Sequence, residues 1–182
     1  MAQKRKGILL IVFIALVVLG IGVIFLTFKY GKDVFRTFFH PHQIEVKLYF
    51  SHPQAELLMY EKRWLTRVSN LHDQVFELIQ ELIKGPNSKG IRTIPSTTRL
   101  RGLKIKDRIA FLDFTTEISR EHPGGSTAEL LTIYSIVNSL ILNFPEIKKV
   151  QLLVEGQKVD TLAGHINCRY PLIERGDLIA RE

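Results

Sequence analysis

Apolar residues fall at Leu130, Ile133, Tyr134, Val137, Leu140, Ile141 and Phe144, a recurrence of three and four positions that matches the α-helical period. The spacing predicts a helix opening at Ser126. There Ser126 and Glu129 stand in the S-x-x-E order of a capping box, in which each side chain accepts a bond from a backbone N–H that the first helical turn leaves unpaired. Pro145 cannot continue the hydrogen-bond ladder, and the β-branched and apolar run Lys149 to Val154 reads as a buried strand. The other segments of the domain are expected to cover this unit, Gly124 to Gly156.

Upstream the period changes. Ile44, Val46, Leu48 and Phe50 alternate with Glu45, Lys47, Tyr49 and Ser51, the two-residue repeat of a strand with one buried face, ended by His52 and Pro53. Ala55 to Thr66 predicts a second strand, with Leu57, Met59, Glu61, Arg63 and Leu65 on one side and Leu58, Tyr60, Lys62 and Trp64 on the other. Glu61 and Arg63 then form either a same-face ion pair at the edge of the core or part of a ligand site. Leu71, Val75, Leu78, Ile79 and Leu82 give a second helical stripe, closed by Gly85 and Pro86, and 87–96 reads as a loop. Leu100, Leu103 and Ile105 precede a turn at Lys106–Asp107. Ile109, Phe111 and Asp113 then alternate with Ala110, Leu112 and Phe114, which together predict a β-hairpin with Asp113 on an apolar face. From Phe114 the chain leads through Glu121 to the loop His122 to Gly125.

The N-terminus carries a different pattern. Gly7 to Phe28 is an uncharged run, about 33 Å long as a helix, which matches a bilayer hydrocarbon core of about 30 Å. No A-x-A cleavage site follows it, so an uncleaved anchor is expected. The only cysteine, Cys168, lies far from the apolar run, which argues against an N-terminal lipid anchor. Lys4, Arg5 and Lys6 face Lys29, Lys32 and Arg36 across the span and leave the positive-inside rule almost tied; the short N-terminal flank favours a cytoplasmic N-terminus and an exported domain. The expected organisation is a cytoplasmic end at 1–6, a transmembrane anchor at 7–28, a juxtamembrane linker with interfacial aromatics at 29–43, a domain at 44–175 and a tail at 176–182.

Charge adds little to this picture once it is located. Of the 25 basic residues, five (Lys4, Arg5, Lys6, Lys29 and Lys32) precede residue 33, which leaves 20 against all 18 acidic residues. Five of the seven net positive charges therefore come from the membrane flanks, the rest of the chain is nearly balanced, and a nucleic-acid partner is not expected. His40 and His42 flank Pro41 without a third ligand nearby, and no metal or other cofactor is assigned. Asp113, Glu117 and Glu121 are the best acidic constellation for general acid–base work, but the strand pattern through Phe114 and the break at Pro123 argue against a shared helical face. Cys168 with His165 and His72 would make a thiol site, against the simpler reading of a small buried hydrophobe. There is no G-x-S-x-G elbow, phosphate loop or H-E-x-x-H motif.

The succession VKLYF (Val46 to Phe50), LLMYEKRW (Leu57 to Trp64), LIKGP (Leu82 to Pro86), TIPSTT (Thr93 to Thr98), FLDFTTEI (Phe111 to Ile118) and GGSTAELLTIYSIVNSL (Gly124 to Leu140) resembles the GerMN domain family, and Val154 to Asn167 resembles its closing segment. The resemblance implies an α/β (α+β) domain with a β-α-β-β-α-β core, in which one sheet similar to that of ring-building motifs carries two helices on one face, preceded here by one transmembrane helix. It also implies a non-enzymatic, extracytoplasmic part of the bacterial envelope of the kind found in sporulation and germination proteins, and it brings no catalytic residue set.

Three functions follow as expectations. The first is an interaction or scaffold domain on the outer side of the cytoplasmic membrane, whose partner is an envelope protein or a second copy of itself. The second is a binding module for a cell-wall (peptidoglycan) fragment or other small ligand, with Tyr60, Arg63 and Trp64 as its contact cluster. The third is a hydrolase using Asp113 or Glu117.

Overall fold

The computed structural model describes residues 17–21, 25 and 42–181. Residues 17–21 and 25 are helical and exposed, and among the described residues no helix is long and apolar enough to cross a membrane. Most of the expected anchor at 7–28, the cytoplasmic end and nearly all of the linker at 29–43 lie outside the described residues. The chain divides into two units, Met1–Gln43 and Ile44–Glu182.

In the second unit the strands β1 (Gln43–Ser51) and β2 (Leu58–Thr66) form a two-stranded sheet. Helix α1 (Leu71–Lys84) follows, then the hairpin of β3 (Leu100–Lys106) and β4 (Ile109–Phe114), the single turn α2 (Glu117–Arg120), helix α3 (Ser126–Ile141), β5 (Lys149–Val154) and the short β6 (Gln157–Lys158). The second sheet has the order β3-β4-β5-β6, with β3 and β6 antiparallel to their neighbours and β4 parallel to β5. The expected single sheet is therefore two. The turn α2 replaces the expected irregular lead-out, and the hairpin turn sits one residue later than expected, at Asp107 and Arg108, both with positive φ. Two left-handed residues match the twist of the strands they join.

Local chemistry explains most of these elements. Asn70 caps α1 by accepting from the His72 N–H at 2.8 Å, and Val75, Leu78, Ile79 and Leu82 bury the expected stripe. Gly85 ends α1 at φ 88°, a backbone angle that favours glycine, and a Cβ there would displace the Arg92 guanidinium, 2.6 Å away. On β4 the fully buried face is Ala110, Leu112 and Phe114, while Ile109, Phe111 and Asp113 face outward and are half-buried.

Helix α3 departs most from its sequence pattern. Every side chain from Leu131 to Ile141 is buried, polar ones included. Its polar residues hold the backbone of irregular segments and of β1. Thr132 Oγ1 donates to the Thr93 carbonyl at 2.7 Å, and Ser139 Oγ accepts from the Tyr49 N–H at 3.0 Å. The Asn138 amide exchanges two bonds with the Arg175 backbone, at 3.0 and 2.9 Å. Just beyond the helix, the Asn143 amide does the same with Lys47, at 2.9 and 2.7 Å. Side chains at 139 and 143 thus pair the free backbone of β1 as a neighbouring strand would, and this lets β1 and β2 stand as a separate sheet.

Leu140 is fully buried in this helix, and Leu140→Ala is expected to cost about 2 to 5 kcal/mol through lost transfer energy and a residual cavity. The cap residue is Gly125 and no side chain caps α3, which corrects the capping box assigned to Ser126 and Glu129. Ser126 is exposed, so Ser126→Ala is expected to stay within about 0.5 kcal/mol of the parent. Urea denaturation of the two variants checks both values; equal midpoints would contradict this packing.

Candidate functional site

The second-strand cluster divides across its strand. Arg63 is 8% exposed and faces the C-terminal end of α1. Its Nε donates to Glu61 Oε1 at 2.7 Å, Nη1 donates to the Glu81 carbonyl and to Glu81 Oε2, each at 3.0 Å, and Nη2 reaches Glu61 and the Gly85 carbonyl. Arg92 donates to the carbonyls of Ile83 and Lys84. Two guanidiniums therefore satisfy the carbonyls that the last turn of α1 leaves open, and their charge complements the negative end of the helix dipole. Glu61 in turn accepts from the N–H of Asn87 and Ser88 and from the Ser88 hydroxyl. Burial pushes the Glu61 carboxyl up, but the bonds from Ser88 and Arg63 outweigh it and hold the group below its ordinary value. Of the two readings of Glu61 and Arg63, the ion pair is the one realised, and it ties β2 to α1 and the loop after it.

Tyr60 and Trp64 share the other side of β2 and are both half-buried. Tyr60 stacks at a tilt on Tyr49, with ring centroids 6.0 Å apart, and the Lys47 ammonium stands 4.6 Å from its ring centre. Strand alternation thus separates Arg63 from Tyr60 and Trp64.

Asp113 Oδ1 accepts from the Gly156 N–H at 2.7 Å, and Arg101 lies between Asp113 and Glu155, at 3.3 and 2.9 Å. Glu117 pairs with Arg120 at 3.3 Å, and a bond from the Thr115 hydroxyl holds its carboxyl below the ordinary range. Glu121 accepts from Thr97 and Arg120. Each of the three carboxylates is thus bonded to a neighbouring structural group.

Glu129 serves a purpose that its spacing did not reveal. Fully buried on α3, it accepts from the N–H of Leu162 and Ala163 at 2.8 Å each and of His165 at 2.7 Å, with the His165 ring Nδ1 at 3.2 Å. Burial raises its carboxyl, and the backbone donors overcome that and lower it below the ordinary 4.5. Cys168 lies inside the same closing segment. Its thiol is pushed up to about 12 by burial and then by the Glu129 charge, so it stays protonated and unreactive at neutral pH. His72 is elsewhere, at the start of α1, with Nε2 3.2 Å from the Leu103 carbonyl. The thiol constellation of Cys168, His165 and His72 is not assembled. Among the described residues no cluster of three histidine, cysteine or acidic side chains could hold a metal ion.

The outward face of the second sheet carries a groove of about 380 Å³ lined by Gly102, Leu103, Lys104, Lys106, Phe111, Asp113 and Leu153. Cross-strand register sets three rows on this face: Lys106, Ile109 and Lys149; Lys104, Phe111 and Gln151; Gly102, Asp113, Leu153 and Lys158. Phe111 and Leu153 thus form an apolar floor bordered by Lys104, Lys106 and the Arg101-paired Asp113, while Gln151 is fully buried and donates to the Cys168 carbonyl. No single local signal marked the groove, because its residues come from three strands.

Residues 47–160, 114 of the 182, match the Germane family, described as sporulation and spore germination. No curated protein matches the sequence. Among solved structures, the chain is similar to one from Clostridium perfringens described as a lipoprotein, with 28% identity and a TM-score of 0.52 over 74% of this chain and 89% of that one. It is also similar to the tandem GerMN domains of the sporulation protein GerM from Bacillus subtilis, with 20% identity and a TM-score of 0.57 over 78% of this chain and 49% of that one. The first GerMN domain of GerM alone gives 19% identity and a TM-score of 0.56 over 74% and 99% of the two chains. At these identities the likeness to GerM is one of fold.

Proposed function

The chain belongs to the Germane family of sporulation and spore germination, and from that premise we propose that it acts by contact and not by chemistry. In this reading it is a non-enzymatic scaffold domain on the extracytoplasmic side of the cytoplasmic membrane, held there as a single-pass protein by its apolar N-terminal segment. Its partner is another envelope protein or a second copy. The observation that carries the reading is the groove on the outward face of β3 and β4, with an apolar floor of Phe111 and Leu153 beside Lys104 and Lys106. The structural engagement of Asp113, Glu117 and Glu121 supports it as well. The Clostridium perfringens relative is described as a lipoprotein, which supports a place at the membrane; here Cys168, the single cysteine, is buried in the domain, so the apolar segment is the proposed anchor. A tethered domain meets membrane-bound partners at high effective concentration, so modest affinity suffices.

A cell-wall fragment is the alternative ligand, favoured by the tilted Tyr49–Tyr60 pair with Lys47 over the Tyr60 ring and Trp64 on the same side of β2. In-cell photocrosslinking of the full chain, with reactive side chains placed at Tyr60 and Lys104, is expected to trap a polypeptide. Trapping none, while purified protein binds muropeptides in a manner lost with Trp64→Ala, would overturn the scaffold reading in favour of the wall.

A further inference from the structure

The larger sheet has an edge as well as a face. β3 is terminal in the order β3-β4-β5-β6, and the Leu103 carbonyl points away from β4 toward the exposed His72 ring of α1 at 3.2 Å, a contact that an added strand would replace. In an antiparallel ladder, alternate residues turn both backbone groups outward, so Ile105 presents its N–H and carbonyl on the same edge. Lys104 and Lys106 stand on the outward face beside the groove, about 7 Å apart by strand geometry, and both are exposed. Arg101 is paired with Asp113 and Glu155, but Lys104, Lys106, Lys149 and Lys158 have no carboxylate at ion-pair distance among the described residues.

Resting on the contact reading above, we propose that the β3 edge and the adjoining groove dock an acidic, extended segment of a different envelope polypeptide. The segment adds to the sheet as a strand beside β3. Its carboxylates, two residues apart, lie against Lys104 and Lys106, and beyond them the segment leaves the edge and crosses over β3, so that an apolar side chain enters the groove above Phe111 and Leu153. Strand addition supplies main-chain bonds, and alternate side chains supply specificity.

The lysines also select the partner. A second copy pairing through its own β3 would set lysines against lysines, a repulsive cross-strand arrangement, whereas an acidic strand is attracted by the same charges. A flat anionic bilayer fits less well, because Phe111 and Leu153 form the floor of a groove and do not project from the surface.

Zero-length carbodiimide coupling of the full chain in its native cells tests this directly, since it joins a lysine amine only to a carboxylate in contact with it. Isopeptide bonds are expected from Lys104 and Lys106 to acidic residues two positions apart in another protein. The Lys104→Arg, Lys106→Arg double variant should lose the isopeptides but keep co-purification of the partner. Lys104→Glu with Lys106→Glu should lose both, with co-purification reduced at least tenfold. Coupling to another copy of this chain at β3 would overturn the proposal, as would partner retention after charge reversal. Pelleting with phosphatidylglycerol vesicles, lost on charge reversal and without any polypeptide adduct, would make the face a membrane contact instead. Interchain coupling only at lysines elsewhere would refute this surface while leaving the contact function standing; no interchain adduct by carbodiimide or photocrosslinking would refute both.

Discussion

Glu129→Ala is expected to destabilise the domain by about 3 to 5 kcal/mol, because it strips the acceptor from three backbone N–H groups and each buried donor left unsatisfied costs about 1 to 3 kcal/mol. Those donors, Leu162, Ala163 and His165, belong to the closing segment that also contains Cys168. Thermal unfolding should show a midpoint lower by about 10 °C or more, and Cys168 should become accessible to thiol reagents in the folded variant. The effect has a pH signature of fixed sign. The folded carboxyl lies below its ordinary value, so the unfolded chain binds the proton more readily, and the stabilisation is fully present above about 4.5 and lost as pH falls through the folded value. Glu61 and Glu81 are lowered as well and contribute with the same sign. The parent should therefore lose stability on acidification more steeply than Glu129→Ala. Equal slopes and equal midpoints would mean that the closing segment does not depend on this carboxylate.

Arg63→Ala is expected to cost a similar amount, about 3 to 5 kcal/mol, the usual result of removing one partner from a largely buried ion pair. Glu61 and Glu81 would lose their shared cation, and the carbonyls of Glu81 and Gly85 would lose a donor. Arg63→Lys should recover only part of the loss, because an ammonium cannot reproduce the planar fork that spans four acceptors. Denaturation midpoints of the two variants separate a structural role from a ligand-binding one. If Arg63 held a ligand, Arg63→Ala would keep the parent's midpoint and lose only binding.

The sequence by itself determined what depends on neighbours along the chain. The stripe Val75, Leu78, Ile79 and Leu82, the glycine stop at Gly85, the alternation in β1 and the β3–β4 hairpin were legible because helix and strand periods bring those residues together whatever surrounds them. The pairing of Glu61 with Arg63 was legible as one of two readings for the same reason, a two-residue spacing on one strand. The family followed from the order of six short segments, no one of them specific alone.

Tertiary structure decided where each polar side chain sends its hydrogen bonds. Ser126 and Glu129 have the spacing of a cap, yet Glu129 bonds to residues 33 to 36 positions away, which local spacing does not encode. Thr132, Asn138 and Ser139 lie off the apolar stripe, and their burial was not legible because a polar residue facing water and one satisfying a buried backbone are the same letter in the sequence. The Ser139 bond to Tyr49, with those of Asn143 to Lys47, takes the place of a neighbouring strand along β1, which stands with β2 as a sheet of its own. The lysine-bordered groove arises likewise from register among three strands, two of them joined only through the crossover that contains α3. Periodicity fixes which face of an element is apolar; which backbone or side chain meets that face is set by packing at long range, where the free energies of burial and of hydrogen-bond satisfaction are decided together.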